Sequence, residues 1–265
     1  MDSVRRVWAI AAAALVLSGC GQAVTPEPGS GAPTSLTASA PVESATPTPA
    51  PTPSPTPAPT PEPSERWDVD AAASLQVIVN KLRPMEPAEF APELVAVSTA
   101  QEGGELVRPE LDAALAELDA AMRAAIGEGT YVTSSYRAYA LQAQYYQNAI
   151  DQHGQEAADT TSARPGHSEH QTGLAIDLMS TSMECRLDHC FGETAAGLWI
   201  AEHAWQHGFV VRYPPGEEAQ AITGYYWEPW HLRYVGTDVT RAMHEQGVAT
   251  LEEFFGLPPA PDYAS

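Results

Sequence analysis

Between Thr46 and Pro63 proline occupies every second position, "TPTPAPTPSPTPAPTPEP", and nothing else in this chain of 265 residues limits its fold as strongly. A proline has no backbone N–H and a fixed φ, so the alternation suits neither a helix interior nor a central strand. The wider stretch from Gly21 to Glu65 is dominated by Pro, Thr, Ser and Ala, with almost no large apolar side chains to offset the entropy of ordering. It reads as an extended, polyproline-type tether, in which about 45 residues at roughly 3.1 Å each would reach on the order of 140 Å. Folding is thereby confined to residues 66–265. A stretch of that size suffices for one compact domain with a good core.

Upstream of the tether, Arg5-Arg6, the apolar run Val7 to Leu17 and the ending Leu17-Ser18-Gly19-Cys20 follow the order of an export signal. The run is too short to cross roughly 30 Å of hydrocarbon. "LSGC" resembles the bacterial lipobox, whose cysteine becomes the lipidated first residue of the mature protein. The chain thus divides into a lipoprotein signal (1–20), the tether (21–65) and a domain (66–265). That division implies an extracytoplasmic domain, anchored in the cell membrane through lipid on Cys20 and facing the cell wall.

The formal charge is −21 and Lys81 is the only lysine. Such a surface repels polyanions, which excludes nucleic acid as a partner. Cys185 and Cys190 lie five apart in "CRLDHC". Outside the cytoplasm they read as a disulfide closing a short loop, with free thiols as the alternative. A thiolate metal site has no further cysteine to complete it.

Within the domain, apolar spacing predicts a helix over "VDAAASLQVIVNKLRP", stopped by Pro84, and a second over "RPELDAALAELDAAMRAAIGEG". In the second, Leu111, Leu115, Leu118, Met122 and Ile126 share one face, Pro109 suits the first turn and Gly127 the exit. "TYVTSSYR", "TGLAIDLM", "FVVRY" and "GYYWEPWHLRYVG" read as strands, the last interrupted by Pro229. "AYALQAQYYQNAIDQHG", "TAAGLWIAEHAWQHG" and "DVTRAMHEQG" read as helices. Several connections are too short for parallel crossovers. The expected class is α+β, a small, largely antiparallel sheet flanked by helices.

Two stretches carry chemistry. "SEHQTGLAID" sets His170 and Asp177 seven residues apart around Gly173, and "EPWH" sets Glu228 three residues before His231. Residues seven apart on one straight strand point to opposite faces, so both reach a common point only if Gly173 makes a turn. Glu228 precedes a proline and is biased away from helical geometry, which argues against a helical HExxH site. A zinc hydrolase needs three protein ligands, an open position and a separate carboxylate to accept a proton. His170, Asp177 and His231 are the candidate ligands, and Glu228 the candidate base.

The combination "SxHxxGxAxD" with "ExxH" resembles the LAS group of zinc peptidases, named for lysostaphin, D-alanyl-D-alanine carboxypeptidase and sonic hedgehog. Within it the chain is similar to the VanY-type D-alanyl-D-alanine carboxypeptidases. The similarity runs through "VNKLRP" (79–84), "SSYRAYALQ" (134–142), "ARPGHSEHQTGLAIDL" (163–178) and "EPWHLRYVG" (228–236). The resemblance implies a single LAS-type domain, zinc on His170, Asp177 and His231, Glu228 as general base, and Arg137 stabilising the oxyanion. Ser168 and Gln142 match motif positions near the substrate. The implied reaction is removal of the terminal D-Ala from peptidoglycan stem peptides. A D,D-dipeptidase, an L,D-carboxypeptidase, an endopeptidase and a hedgehog-like binding module are the alternatives. One departure stands out: the family commonly has a lysine soon after "RYPxG", where Arg212-Tyr213-Pro214-Pro215-Gly216 here leads to Glu217-Glu218.

Overall fold

The computed structural model describes residues 66–264. The signal, Cys20 and the tether lie outside the described residues. The described part is α+β: a five-stranded sheet in the order β2-β4-β5-β7-β6, a two-stranded β1-β3 ribbon, and helices. The strands are β1 (Val95–Ala96), β2 (Ala100–Gln101), β3 (Leu106–Val107), β4 (Thr130–Ser134), β5 (Ala175–Ser180), β6 (Phe209–Val211) and β7 (His231–Tyr234). In the five-stranded sheet only β2 and β4 run parallel; β4-β5, β5-β7 and β7-β6 are antiparallel.

Helix α1 (Pro109–Ile126) begins with Pro109 in its first turn and acidic Glu110 and Asp112 beside it, which suits the positive end of the helix dipole. It ends at Gly127, whose φ of 78° is left-handed. Leu111, Leu115, Leu118 and Met122 are fully buried and Ile126 partly so. They pack with Val132 of β4, Ile176 and Leu178 of β5 and Leu232 of β7. Truncating one of these leucines to alanine costs about 2–5 kcal/mol. Ile176 and Leu178 go to this core, and strand alternation sends Asp177, between them, to the other side of the sheet.

The segment read as a first helix is not one. Residues 69–84 form turns and extended chain. Val77 and Val79 enter one apolar cluster with Met85, while Ile78 enters another with Val235, Val239 and Phe254. That is a period of two, and the β-branched run has apolar partners on both sides, so an extended path buries more than a helix would. Its carbonyls are satisfied by side chains: Arg233 Nη2 donates to Val77 O at 2.7 Å and Arg83 Nε to Ile78 O at 3.2 Å.

The other predicted helices are present as α2 (Tyr139–His153), α4 (Ala195–His203) and α6 (Thr237–Gln246). Three short helices were not anticipated: α3 (Gln155–Thr161), α5 (Glu217–Thr223) and α7 (Leu251–Phe254). The departure at Glu217-Glu218 is the acidic first turn of α5. Cys185 and Cys190 form a disulfide in the loop after β5.

Candidate metal centre

Asp177 and His231 are brought together by ladder register, since they are paired residues of β5 and β7. His170 comes from the one-turn 3-10 helix Glu169–Thr172, which ends at Gly173 with a left-handed φ of 69°. A Cβ at Gly173 would also meet Arg108, Leu94 and Pro92 side chains at 3.1–3.2 Å, so both conformation and space require glycine there. The turn anticipated between His170 and Asp177 is this one.

One ligand atom from each of His170, Asp177 and His231 lies within 4.8 Å of the others. His170 Nε2 is 3.5 Å from Asp177 Oδ2, and His231 Nδ1 is 3.2 Å from Asp177 Oδ1. The imidazole rings stand 5.0 Å apart at 89°. His170 Nδ1 lies 2.7 Å from Ser135 O, which can only accept, so Nδ1 carries the proton and Nε2 keeps its lone pair toward the cluster.

Charge in the cluster is unbalanced. Burial pushes the Glu228 carboxyl up to about 7, with the neighbouring Asp177 charge adding to it, while His231 and Arg137 only partly oppose. Burial disfavours the His231 imidazolium, yet hydrogen bonding to Asp177 and the facing carboxylates of Glu169 and Glu228 lift it to about 9. Burial alone would raise Asp177, but His170 and His231 hold it well below the usual carboxylate range. The His170 imidazolium is suppressed by burial and by the positive charge of Arg137. Two nitrogens and a carboxylate oxygen converge where the protein draws in a positive charge. This donor set fits a divalent transition metal such as zinc, with further coordination positions open to the cleft.

Glu228 follows α5 in a bend that His231 N closes by donating to Glu228 O at 3.1 Å, while Glu228 N donates to Tyr213 O at 3.0 Å. Its Oε2 is 3.8 Å from His231 Nδ1, and its side chain keeps 21% exposure to the cleft. Arg137 follows β4, and its backbone N–H donates to His170 O at 3.1 Å. Its guanidinium donates to Gln142 Oε1 at 2.9 Å and Ser134 Oγ at 2.8 Å, and sits 4.7 Å above the Tyr145 ring. Arg137, Ser168, His170, Asp177, Glu228 and His231 all line one cleft of about 300 Å³, with Tyr145, Leu187, Tyr213 and Trp230 among its walls.

Gln142 is placed differently from the sequence expectation. It is fully buried and absent from the cleft wall, gripping Arg137 with its oxygen and Ala163 O with its amide at 2.6 Å. It orients the arginine and does not face the substrate cleft. His167 bonds Asn80 O through Nδ1 at 2.8 Å.

Sequence reasoning missed Glu169. This residue is buried beneath His231 and held by Arg212 Nε at 2.9 Å and Arg233 Nη1 at 3.1 Å. Burial would raise its carboxyl, but the two guanidiniums and His231 hold it below the ordinary range. An acidic residue beside a candidate ligand was the available signal, but its arginine partners are 43 and 64 residues away.

The family VanY, D-alanyl-D-alanine carboxypeptidase, matches residues 104–237, just over half of the chain. YodJ of Bacillus subtilis (strain 168) is 43% identical over 122 residues, 46% of this chain and 44% of YodJ, so the chain spans less than half of that relative. The bifunctional D-Ala-D-Ala dipeptidase and D-Ala-D-Ala carboxypeptidase VanXYC of Enterococcus gallinarum is 30% identical over 180 residues, 67% of this chain and 91% of the relative. Among solved structures, the LD-carboxypeptidase LdcB superposes with a TM-score of 0.64 at 35% identity, covering 70% of this chain and 87% of LdcB. A mutant of the vancomycin-resistance D,D-pentapeptidase VanY in complex with Zn(II) superposes at 0.58 with 32% identity, covering 69% of this chain and 98% of that one.

Proposed function

The chain belongs to the VanY family of D-alanyl-D-alanine carboxypeptidases, and on that premise we propose that it is a zinc-dependent carboxypeptidase removing the terminal D-Ala from peptidoglycan stem peptides. The observation that carries this reading is the convergence of His170, Asp177 and His231 in one cleft with Glu228 and Arg137. Zinc held by those three side chains would supply a Lewis acid for the scissile carbonyl and the attacking water. Glu228, lifted to about 7 by burial, is poised to take the proton of that water and return it to the leaving D-Ala amine. Arg137, fixed by Gln142, Ser134 and the Tyr145 face, directs a permanent positive charge at the carbonyl oxygen as negative charge develops there. Ser168, at the cleft wall, offers a hydroxyl for the peptide backbone.

The decisive assay is mass spectrometry on a pentapeptide stem with and without chelator. One D-Ala should be released, chelation should stop the reaction, and zinc should restore it. Release of D-Ala-D-Ala as the main product, or binding without hydrolysis by zinc-loaded protein, would sink the reading. The L,D register is the second reading, supported by the better superposition on LdcB, 0.64 against 0.58. Faster hydrolysis of a tetrapeptide stem than of the pentapeptide would select it. The "LSGC" sequence supports a lipid on Cys20 that holds the domain on the outer face of the membrane. Cys20→Ala protein should then leave the membrane fraction.

A further inference from the structure

His231 has two ring nitrogens and only one can serve a metal. Nδ1 faces the cluster, 3.2 Å from Asp177 Oδ1. Nε2 faces away, 3.7 Å from Glu169 Oε2. Both Nε2 and Oε2 are fully buried, and neither has a hydrogen-bond partner among the described residues. At 3.7 Å they are beyond hydrogen-bond range, but each is the other's available complement, and a shift of about 1 Å closes the pair. A proton on Nδ1 would satisfy Asp177 and occupy the lone pair that a metal needs. A carboxylate at Nε2 gives that proton another home.

Glu169 is held for this task. Its Oε1 accepts from both Arg212 Nε and Arg233 Nη1, which leaves Oε2 for His231. Arg212 is held in turn by Glu252 at 2.6 and 3.0 Å, and Arg233 by the carbonyls of Leu75 and Val77 at 3.1 and 2.7 Å. We infer that Glu169 is a positioning residue that keeps the proton of His231 on Nε2 and so presents Nδ1 to the metal. The inference rests on the functional reading above and extends it to a residue outside the ligand set.

Glu169→Gln tests it with nearly unchanged shape. The two guanidiniums demand the amide oxygen on their side, so the amide nitrogen faces His231 Nε2, which must then accept, and the proton moves to Nδ1. In chelator competition with zinc alone, the intact protein carrying Glu169→Gln should bind zinc about 10- to 100-fold more weakly than the parent. Glu252→Gln disturbs the same ion network without touching His231 and should leave zinc affinity within about two-fold, a control matched to that expected range. Equal zinc affinity of Glu169→Gln and parent overturns the inference, as does an equal loss in Glu252→Gln, which would make the effect one of folding. A parent that binds no zinc overturns the functional reading itself. If Glu169→Gln does not fold, NMR of the zinc-loaded parent decides: a His231 Nε2 proton shifted far downfield by a hydrogen bond to the Glu169 carboxylate supports the inference, and an Nε2 proton without that shift overturns it.

Discussion

Two buried polar clusters meet at His231, and they are balanced in opposite ways. Beneath it, Glu169 and Glu252 pair with Arg212 and Arg233, two negative charges against two positive, with all four side chains essentially inaccessible. Above it, Asp177 and Glu228 face two histidines and the single guanidinium of Arg137; burial, with the Asp177 charge added, pushes Glu228 up to about 7, and the carboxylates around His231 outweigh its burial and lift it to about 9. The lower cluster is balanced in charge, with only Glu169 Oε2 left turned toward His231, and it holds backbone together, tying β7 to residues 75–80 and to α7. The upper one has charge left to give. Buried polarity that closes on itself is architecture, whereas buried polarity left short of a cation marks the place where chemistry happens.

Substitutions can break this contrast. The largest effect is expected in the upper cluster: His170→Ala, Asp177→Ala or His231→Ala should lose zinc and bring turnover to the level of the chelated protein, read by metal analysis and D-Ala release together. Next, Glu228→Gln should keep near-stoichiometric zinc while D-Ala release falls by about 10²- to 10⁴-fold. Parent-like hydrolysis at equal zinc content would remove Glu228 from the mechanism. In the lower cluster the expected loss is in stability. Arg212→Met breaks a buried pair and should cost about 3–5 kcal/mol in urea unfolding while retaining zinc, because Arg233 still grips Glu169. The smallest effect is expected at Gln142→Ala, which removes one charge-assisted bond to Arg137, worth about 1.5–3 kcal/mol. It should lower turnover with zinc content unchanged, and a loss of zinc instead would move Gln142 into the metal-holding structure.

How far the sequence reaches differs between these clusters. His170, Asp177, Glu228 and His231 lie in two short motifs, and local chemistry announces them: a glycine that turns the chain, a strand behind it, a proline that bars helix. Helix α1 was equally legible, because its apolar face repeats every three or four residues and its ends carry Pro109 and Gly127. Residues 69–84 misled, since "VDAAASLQVIVN" has spacing compatible with a helix. The choice of extended chain rests on Met85 on one side and, on the other, on Val235, Val239 and Phe254, which no local window contains.

The sequence by itself determined the chemistry available: three candidate ligands, a separate carboxylate and an arginine. Tertiary structure alone decided the assignments that depend on partners far along the chain. It set Asp177 opposite His231 by strand register, turned Gln142 from the cleft onto Arg137, and brought Arg212, Arg233 and Glu252 around Glu169. The physical reason is range. Turn geometry, helix spacing and missing N–H groups act over a few residues and leave a mark in sequence. An ion pair between residues 43 or 64 apart depends on where the fold places both ends, and nothing local records it.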